Sequence, residues 1–133
     1  MAVGQKTKVT KILVVDDEPQ ITEIVEAFLV NAGHEVHISN DGKLAIQKAK
    51  EVRPDIILLD IMMPGIDGYS ICNEIKSDPG LANVPVVFLT GKDMNEDMGR
   101  SFKVGGDMFI KKPFSCERLL EIVNIILLST SRH

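Results

Sequence analysis

The chain has 133 residues, which is enough for one domain with a buried core but hardly for a second folded unit. With 44% hydrophobic and 26% charged residues, its composition is that of an ordinary globular protein and excludes a low-complexity or repetitive architecture. The formal net charge is -4, and no Lys/Arg-rich face emerges at helical spacing, so direct nucleic-acid binding by this chain is not expected.

The cysteine content and the hydropathy pattern bear on the compartment. Cys72 and Cys116 stand alone without metal-binding spacing, and the N-terminal segment carries lysines but lacks the apolar stretch of a signal peptide. No apolar run approaches the roughly 18 residues that a membrane span needs. We therefore expect a reducing, cytoplasmic setting and no membrane insertion.

The first predicted strand ends in acid. Residues 1–10 lack periodicity and predict a flexible lead, and ordered structure is expected from Lys11. Residues 12–15 are an apolar run typical of a strand buried on both faces. Acidic residues 16–18 follow it directly, so the strand is expected to deliver carboxylates to one edge of a sheet.

The next segment alternates helix and strand. Pro19 is suited to a first helical position, and apolar residues then recur at 3.6-residue spacing over residues 20–32. Gly33 is a typical left-handed end to that helix. Residues 36–39 alternate in polarity, which favours an edge strand with one wet face, and residues 44–52 predict a second helix.

The strand that ends at Asp60 is the centre of the predicted fold. Four consecutive aliphatic residues precede this aspartate and predict an interior strand that is covered on both sides. Turn-forming residues follow at 64–65 and 67–68. We predict Asp60 to be an exposed carboxylate facing a loop-lined crevice, which is where open α/β sheets bind ligands.

The second half of the chain continues the alternation of helix and strand. Ser115 is a predicted cap of the last helix, and a short tail, residues 129–133, is expected to follow that helix. The predicted elements are a helix at 68–77, a strand at 86–89, a weak helix at about 94–104, a short strand at 108–110 and a last helix to about 128.

This alternation predicts an α/β fold. Five successive strand–helix units imply a doubly wound, five-stranded parallel sheet with right-handed crossovers, in a single domain over residues 11–128. The carboxyl ends of parallel strands lie at one edge, so the polar residues that end four of the strands should meet there. These residues are Asp16, Asp17, Asp60, Thr90 and Lys112.

The predicted edge has a distinct chemistry. Three carboxylates within a few ångströms repel one another by several kcal/mol per pair at an effective dielectric constant of about 20, so a cation is required. Mg²⁺ fits, since it takes few carboxylate oxygens and leaves room for a phosphate. Lys112 and the Thr90 hydroxyl suit phosphoryl oxygens, and a carboxylate beside Mg²⁺ and lysine is equipped to form an aspartyl phosphate.

These motifs resemble a response regulator receiver domain of two-component signalling, over residues 11–128. Such domains have a flavodoxin-like fold with strand order 2-1-3-4-5. The motif Val-Val-Asp-Asp-Glu-Pro implies that Asp16 and Asp17 bind the metal. The motif Leu-Asp-Ile-Met-Met-Pro-Gly implies that Asp60 is the phosphoacceptor and a metal ligand, with the backbone carbonyl of Met62 as a further ligand.

The resemblance also assigns the remaining site residues. Leu-Thr-Gly makes Thr90 the switch hydroxyl, and Lys-Lys-Pro-Phe makes Lys112 the essential lysine, with a cis peptide before Pro113. Phe109 takes the aromatic switch position, where many relatives have tyrosine. An aromatic residue in a short strand is more often simply core, so both roles remain open for Phe109. The segment at 104–107 departs from the usual small-residue run.

The resemblance further implies a switch that catalyses only its own phosphorylation and dephosphorylation. His34 and His37 lack the context of a phosphoacceptor histidine, so the donor should be a sensor histidine kinase or a histidine phosphotransfer protein. The output would be a downstream protein target or a phosphorylation-dependent homodimer. It would use the surface of the fourth helix, last strand and last helix, where Ile125 and Leu128 fall outside the predicted buried stripe.

Two functions of other classes remain possible on the same fold. A flavin-binding electron carrier would present glycine and hydroxyl groups in its first loop, whereas acidic residues 16–18 would repel the flavin phosphate. A phosphatase that forms an aspartyl phosphate would carry a second acid two residues after its nucleophile, where this chain has Met62.

Overall fold

Five parallel strands form the central sheet of the computed structural model, which describes residues 9–91, 106 and 108–130. The strands are β1 Lys11–Val15, β2 Glu35–Ser39, β3 Ile56–Asp60, β6 Val86–Thr90 and β7 Met108–Lys111. Their order in the sheet is β2-β1-β3-β6-β7, and all the neighbouring strands pair in parallel. Numbered among themselves, the five strands have the predicted order 2-1-3-4-5.

Helices connect the strands and cover both faces of the sheet. The predicted fourth helix, about residues 94–104, lies outside the described residues, as do residues 1–8 and 131–133. The described helices are α1 Pro19–Asn31, α2 Ala45–Val52 with a 3₁₀ turn at Gly42–Leu44 before it, α3 Gly68–Ser77, and the C-terminal helix Cys116–Thr130.

Alternation along the strands divides the core into two layers, because successive side chains point to opposite faces. One layer includes Leu13, Ile57 and Phe88 and packs against α2 and α3. The other includes Val14 and Leu58 and packs against α1 and the C-terminal helix. All five residues of β3 are buried, which confirms the predicted interior strand, whereas the edge strand β2 is only partly buried.

The local signals at the helix ends agree with the structure. Pro19 is the first residue of α1, and Gly33 has φ +100°, in the left-handed region where glycine is favoured. The backbone N–H of Arg118 donates to Ser115 Oγ at 3.0 Å, which confirms the predicted cap of the C-terminal helix. Asp67 caps α3 in the same way, since its carboxylate accepts the Tyr69 N–H.

A small hairpin after β3 was not predicted. Strands β4 Met62–Met63 and β5 Ile66–Asp67 pair in antiparallel fashion, and Gly65 turns between them with φ +77°. Two-residue strands are too short to show a periodicity in the sequence, and only their turn residues were visible there. The hairpin lies directly between the end of β3 and the start of α3.

The remaining expectations concern the cysteines and the membrane. Neither cysteine forms a disulfide, and Cys72 is buried whereas Cys116 is partly exposed. Among the described helices, none combines the length and the apolar character needed to cross a bilayer.

Candidate functional site

Three carboxylates converge at the carboxyl edge of the sheet. Asp16 and Asp17 directly follow β1, and Asp60 ends the adjacent strand β3. Each offers a carboxylate oxygen, and these oxygens all lie within 4.8 Å of one another. The predicted convergence of these three acids is therefore present in the structure.

The prediction that Asp60 would be an exposed carboxylate is wrong, because only 3% of this residue is accessible. The Met62 N–H donates to Asp60 Oδ1 at 3.2 Å, and Lys112 Nζ lies 3.5 Å from the same oxygen. The sequence showed turn residues after Asp60 but not the hairpin that folds back towards it. Asp16 is fully buried, whereas Asp17 is partly exposed.

Lys112 links the far side of the sheet to these acids. It follows β7 and precedes Pro113 through a cis peptide bond, as the family resemblance implied. Its Nζ donates to Asp16 Oδ2 at 2.8 Å and lies 3.5 Å from Glu18 Oε1. One ammonium therefore contacts three carboxylates, those of Asp16, Glu18 and Asp60.

Burial and the neighbouring charges shift the pKa values of Asp60 and Lys112. Burial, together with the charge of Asp16, raises the pKa of Asp60 from 3.8 to about 6, although Lys112 and the Met62 N–H act in the opposite direction. Burial alone would lower the pKa of Lys112, but its hydrogen bond to Asp16 and the charges of Asp16, Asp60 and Glu18 outweigh this and raise it. Lys112 thus stays charged at neutral pH.

Thr90 and Phe109 lie in the interior next to this edge. Thr90 is the last residue of β6 and is fully buried, and its backbone carbonyl accepts the Lys112 N–H at 2.7 Å. Phe109 of β7 is 8% exposed, and its ring centroid lies 5.8 Å from that of Phe88. A core role accounts for this packing of Phe109, and its switch role stays a prediction.

Two residues contribute to the site without having been assigned a role in it from the sequence, where Glu18 appeared only as one of three acids after the first strand. The backbone N–H of Glu18 donates to Asp16 Oδ1 at 3.0 Å, and its side chain approaches Lys112. Asn40 Nδ2 donates to the Asp16 carbonyl at 2.8 Å and to Thr22 Oγ1 at 3.0 Å. Asn40 appeared only as a turn residue. Its position directly after β2, the neighbour of β1, was the available signal.

The donor set suits a hard divalent cation. Carboxylate oxygens are the ligands that Mg²⁺ prefers, and within the described part of the chain these acids outnumber Lys112, the one lysine found in contact with them. A cation would relieve the repulsion from Asp16, which adds to burial in raising the pKa of Asp60. The backbone N–H of Met62 donates to Asp60 Oδ1, and the carbonyl of the same residue stays the further ligand that the family resemblance implies.

Comparison with known families decides what kind of domain carries this edge. Residues 12–124 match the model of the response regulator receiver domain. The chain belongs to the response regulator receiver family. It is therefore a signalling switch of the two-component phosphorelay type, and neither the electron carrier nor the phosphatase is favoured by what it matches.

Individual relatives agree with the family. A DNA-binding dual master transcriptional regulator, RpaA of Synechocystis sp., is 35% identical over 122 residues, which are 92% of this chain and 51% of that protein. This receiver thus spans about half the length of the curated relative.

Solved structures show the same fold. The chemotaxis protein CheY4 of Vibrio cholerae is 30% identical with a TM-score of 0.86, covering 90% of this chain and 99% of that one. The signal receiver domain of a histidine kinase from Syntrophus aciditrophicus is 33% identical with a TM-score of 0.85, covering 94% and 95%. The receiver fold thus occurs in these matches both as a separate chemotaxis protein and as a domain of a kinase.

Proposed function

We propose that Asp60 accepts a phosphoryl group from the phosphohistidine of a sensor histidine kinase or a histidine phosphotransfer protein. The observation that carries this proposal is the position of Asp60 at the end of β3, with carboxylates of Asp16 and Asp17 within 4.8 Å and Lys112 Nζ 3.5 Å away. This arrangement joins a nucleophile, a cation-binding set and a fixed positive charge at one point.

The transfer is a displacement at phosphorus. An oxygen of Asp60 forms a bond to phosphorus while the bond from phosphorus to the donor's histidine nitrogen breaks, and that nitrogen keeps the electron pair. With a pKa of about 6, Asp60 is mostly ionised at pH 7 and can attack. Lys112 then binds a phosphoryl oxygen as a point charge, and the Thr90 hydroxyl donates to another.

Asp16, Asp17, Asp60 and the Met62 carbonyl are the groups that would hold Mg²⁺. When bound, the ion offsets the negative charge of the carboxylates and of the phosphoryl group. Asp16 is oriented for this role by the Glu18 N–H and by Lys112, and Asn40 fixes the backbone from which it projects. We further propose that the protein catalyses only its own phosphorylation and dephosphorylation. We also propose that it acts in the cytoplasm.

Labelling from acetyl phosphate or a histidine kinase tests this proposal. Asp60→Asn should abolish acid-labile, Mg²⁺-dependent labelling, because an amide oxygen is a poor nucleophile. Asp67→Asn is the matched control, since it changes an aspartate in the adjoining hairpin whose capping role asparagine can also fill. Normal labelling of Asp60→Asn would contradict the assignment of Asp60 as the phosphoacceptor.

For the output, we propose that phosphorylation alters the face made by the fourth helix, β7 and the C-terminal helix. Leu119, Ile122 and Val123 are buried, whereas Ile125 is 49% and Leu128 66% exposed, in agreement with the predicted division of the last helix. Exposed apolar residues grouped on a helix often mark interfaces. An end that frays, or a further domain covering these residues, is the simpler explanation.

The proposed coupling runs from the phosphoryl group through two residues. Thr90 would move inward to reach a phosphoryl oxygen, and Phe109 would follow into the vacated space beside Phe88. The neighbouring face would then bind a downstream protein target or a second copy of this chain more tightly. The predicted fourth helix, which borders this face, lies outside the described residues.

Light scattering on beryllofluoride-treated protein tests the output surface. Treated wild type should gain mass or bind its partner, and Ile125→Glu should not. Val30→Glu on α1 is the control, because Val30 is 51% exposed and so matches Ile125 in accessibility. If mass and partner binding are the same with and without treatment in wild type and Ile125→Glu, this surface is not the output.

A further inference from the structure

The β4–β5 hairpin fixes the backbone next to the proposed phosphoacceptor. Met62, the first residue of β4, donates its N–H to Asp60 Oδ1 at 3.2 Å. Any shift of the hairpin therefore moves a hydrogen-bond donor at Asp60 and a carbonyl of the proposed metal site. What holds the hairpin in place is thus part of how the site is built.

Gly42 lies under this hairpin, although it belongs to the distant connection between β2 and α2. It is buried, and a Cβ atom added to it would meet Ile66 Cγ2 of β5 at 2.4 Å. The same atom would lie 3.1 Å from Met63 Cε and 3.3 Å from Ile71 Cδ1. The contact with Ile66 is far closer than ordinary packing permits, and a β-branched side chain has little freedom to yield.

The turn itself does not require glycine at this position. Positive φ angles among the described glycines occur at Gly33 and Gly65, so the backbone of Gly42 has a conformation open to alanine. The absence of a side chain is required by the hairpin that packs on it. This separates Gly42 from the many glycines that serve only to make a turn.

The connection that carries Gly42 is held by its own hydrogen bonds. Ser39 Oγ donates to the Asp41 carbonyl at 2.8 Å, and the Asp41 carboxylate accepts the Lys43 N–H at 2.9 Å. Added bulk at Gly42 would therefore push the hairpin rather than its own loop.

The end of the hairpin at α3 is held just as closely. A Cβ atom added to Gly68 would lie 2.6 Å from the Asp60 carbonyl oxygen. The backbone N–H of Gly68 donates to the Ile61 carbonyl at 3.1 Å. Because this end abuts the β3 backbone, displacement caused at Ile66 would be passed towards Met62.

We propose that Gly42 is a positioning residue for the metal and phosphoacceptor site, acting through Ile66 and the β4–β5 hairpin on Met62. The inference rests on the proposed function, because it assumes that Mg²⁺ binds beside Asp60. Gly42→Ala should weaken Mg²⁺ binding roughly tenfold, the lower end of the losses seen when groups behind metal ligands are changed.

Calorimetric titration with Mg²⁺ tests the proposal, at a temperature where circular dichroism shows every variant folded. The variants are Gly42→Ala, Ile66→Ala and the double variant, which lacks the clashing Cγ2 and should recover most of the lost affinity. Gly80→Ala is the control, because Gly80 is exposed and an added Cβ there would come no closer than 3.3 Å to another residue. In metal-free protein, the Met62 amide resonance should shift in Gly42→Ala and return in the double variant.

The outcomes separate the inference from the function on which it rests. Wild type that binds no Mg²⁺ would overturn the proposed function itself. Wild type that binds, with unchanged affinity and an unchanged Met62 resonance in Gly42→Ala, would overturn only the role of Gly42. An equal loss in Gly80→Ala would also overturn it. If Gly42→Ala does not fold, a folded double variant that binds Mg²⁺ supports the proposal, and one that fails to bind contradicts it.

Discussion

Lys112 Nζ lies 2.8 Å from Asp16 Oδ2, so the residue that follows the last strand of the sheet is joined to the residue that follows the first. Asp16 is fully buried and the Lys112 side chain is only 16% exposed. A pair this deeply buried is costly to break, because the partner that remains is an uncompensated charge.

Lys112→Met should therefore destabilise the metal-free protein by about 3 kcal/mol, as measured by urea unfolding. Methionine keeps the length of the side chain and removes the charge. Lys50→Met is the control, because Lys50 Nζ lies 3.6 Å from Asp78 with a side chain 59% exposed, and such pairs contribute less than about 1 kcal/mol. Equal losses of unfolding free energy in the two variants would show that the buried Lys112 pair stabilises the protein no more than an exposed pair does.

The raised pKa of Asp60 predicts a dependence of stability on pH. The folded value of about 6 lies above the ordinary 3.8, so between these values the folded state binds more protons than the unfolded state. The contribution of Asp60 to stability without Mg²⁺ should therefore fall as the pH rises from about 4 to above 6. Asp60→Asn should be more stable than wild type by about 1–3 kcal/mol at pH 7, and this difference should shrink below pH 4. A gap independent of pH would argue against the charge as its cause.

Asp17→Ala should weaken Mg²⁺ binding by at least about tenfold, since it removes an oxygen from the cation-binding set. Labelling should fall at low Mg²⁺ and be partly restored by excess Mg²⁺. Glu23→Ala serves as the control, because Glu23 is an exposed acid on α1. A defect in Asp17→Ala that no Mg²⁺ concentration improves would indicate a role for Asp17 other than metal binding.

The identity of residue 62 predicts a long-lived phosphoryl group. A methionine two residues after the proposed phosphoacceptor cannot orient an attacking water as an amide or carboxylate could. Lys92, two residues after Thr90, would add shielding, but it lies outside the described residues. Met62→Asn should lose phosphate several times faster than wild type in a decay assay, whereas Met63→Leu at a buried neighbour should not. Equal decay rates in all three would contradict this explanation.

The sequence was sufficient to place the polar strand ends, because buried parallel strands read as apolar runs and their carboxyl ends must share an edge. It could not show that Asp60 is buried, since this depends on the hairpin and on Lys112, which approaches from the other end of the chain. Asn40 and Gly42 were seen only as turn residues. Their roles come from contacts with Asp16 and Ile66, and a local pattern carries no information about such partners.

The proposal that Asp60 accepts the phosphoryl group is tested most directly by locating that group on the chain. Protein labelled by acetyl phosphate with Mg²⁺ is treated with borohydride, which reduces an aspartyl phosphate to homoserine, and the peptides are mapped by mass spectrometry. We expect homoserine at Asp60 and at no other aspartate, with no conversion when Mg²⁺ is chelated. Homoserine at Asp16 or Asp17, or equal conversion without Mg²⁺, would contradict it.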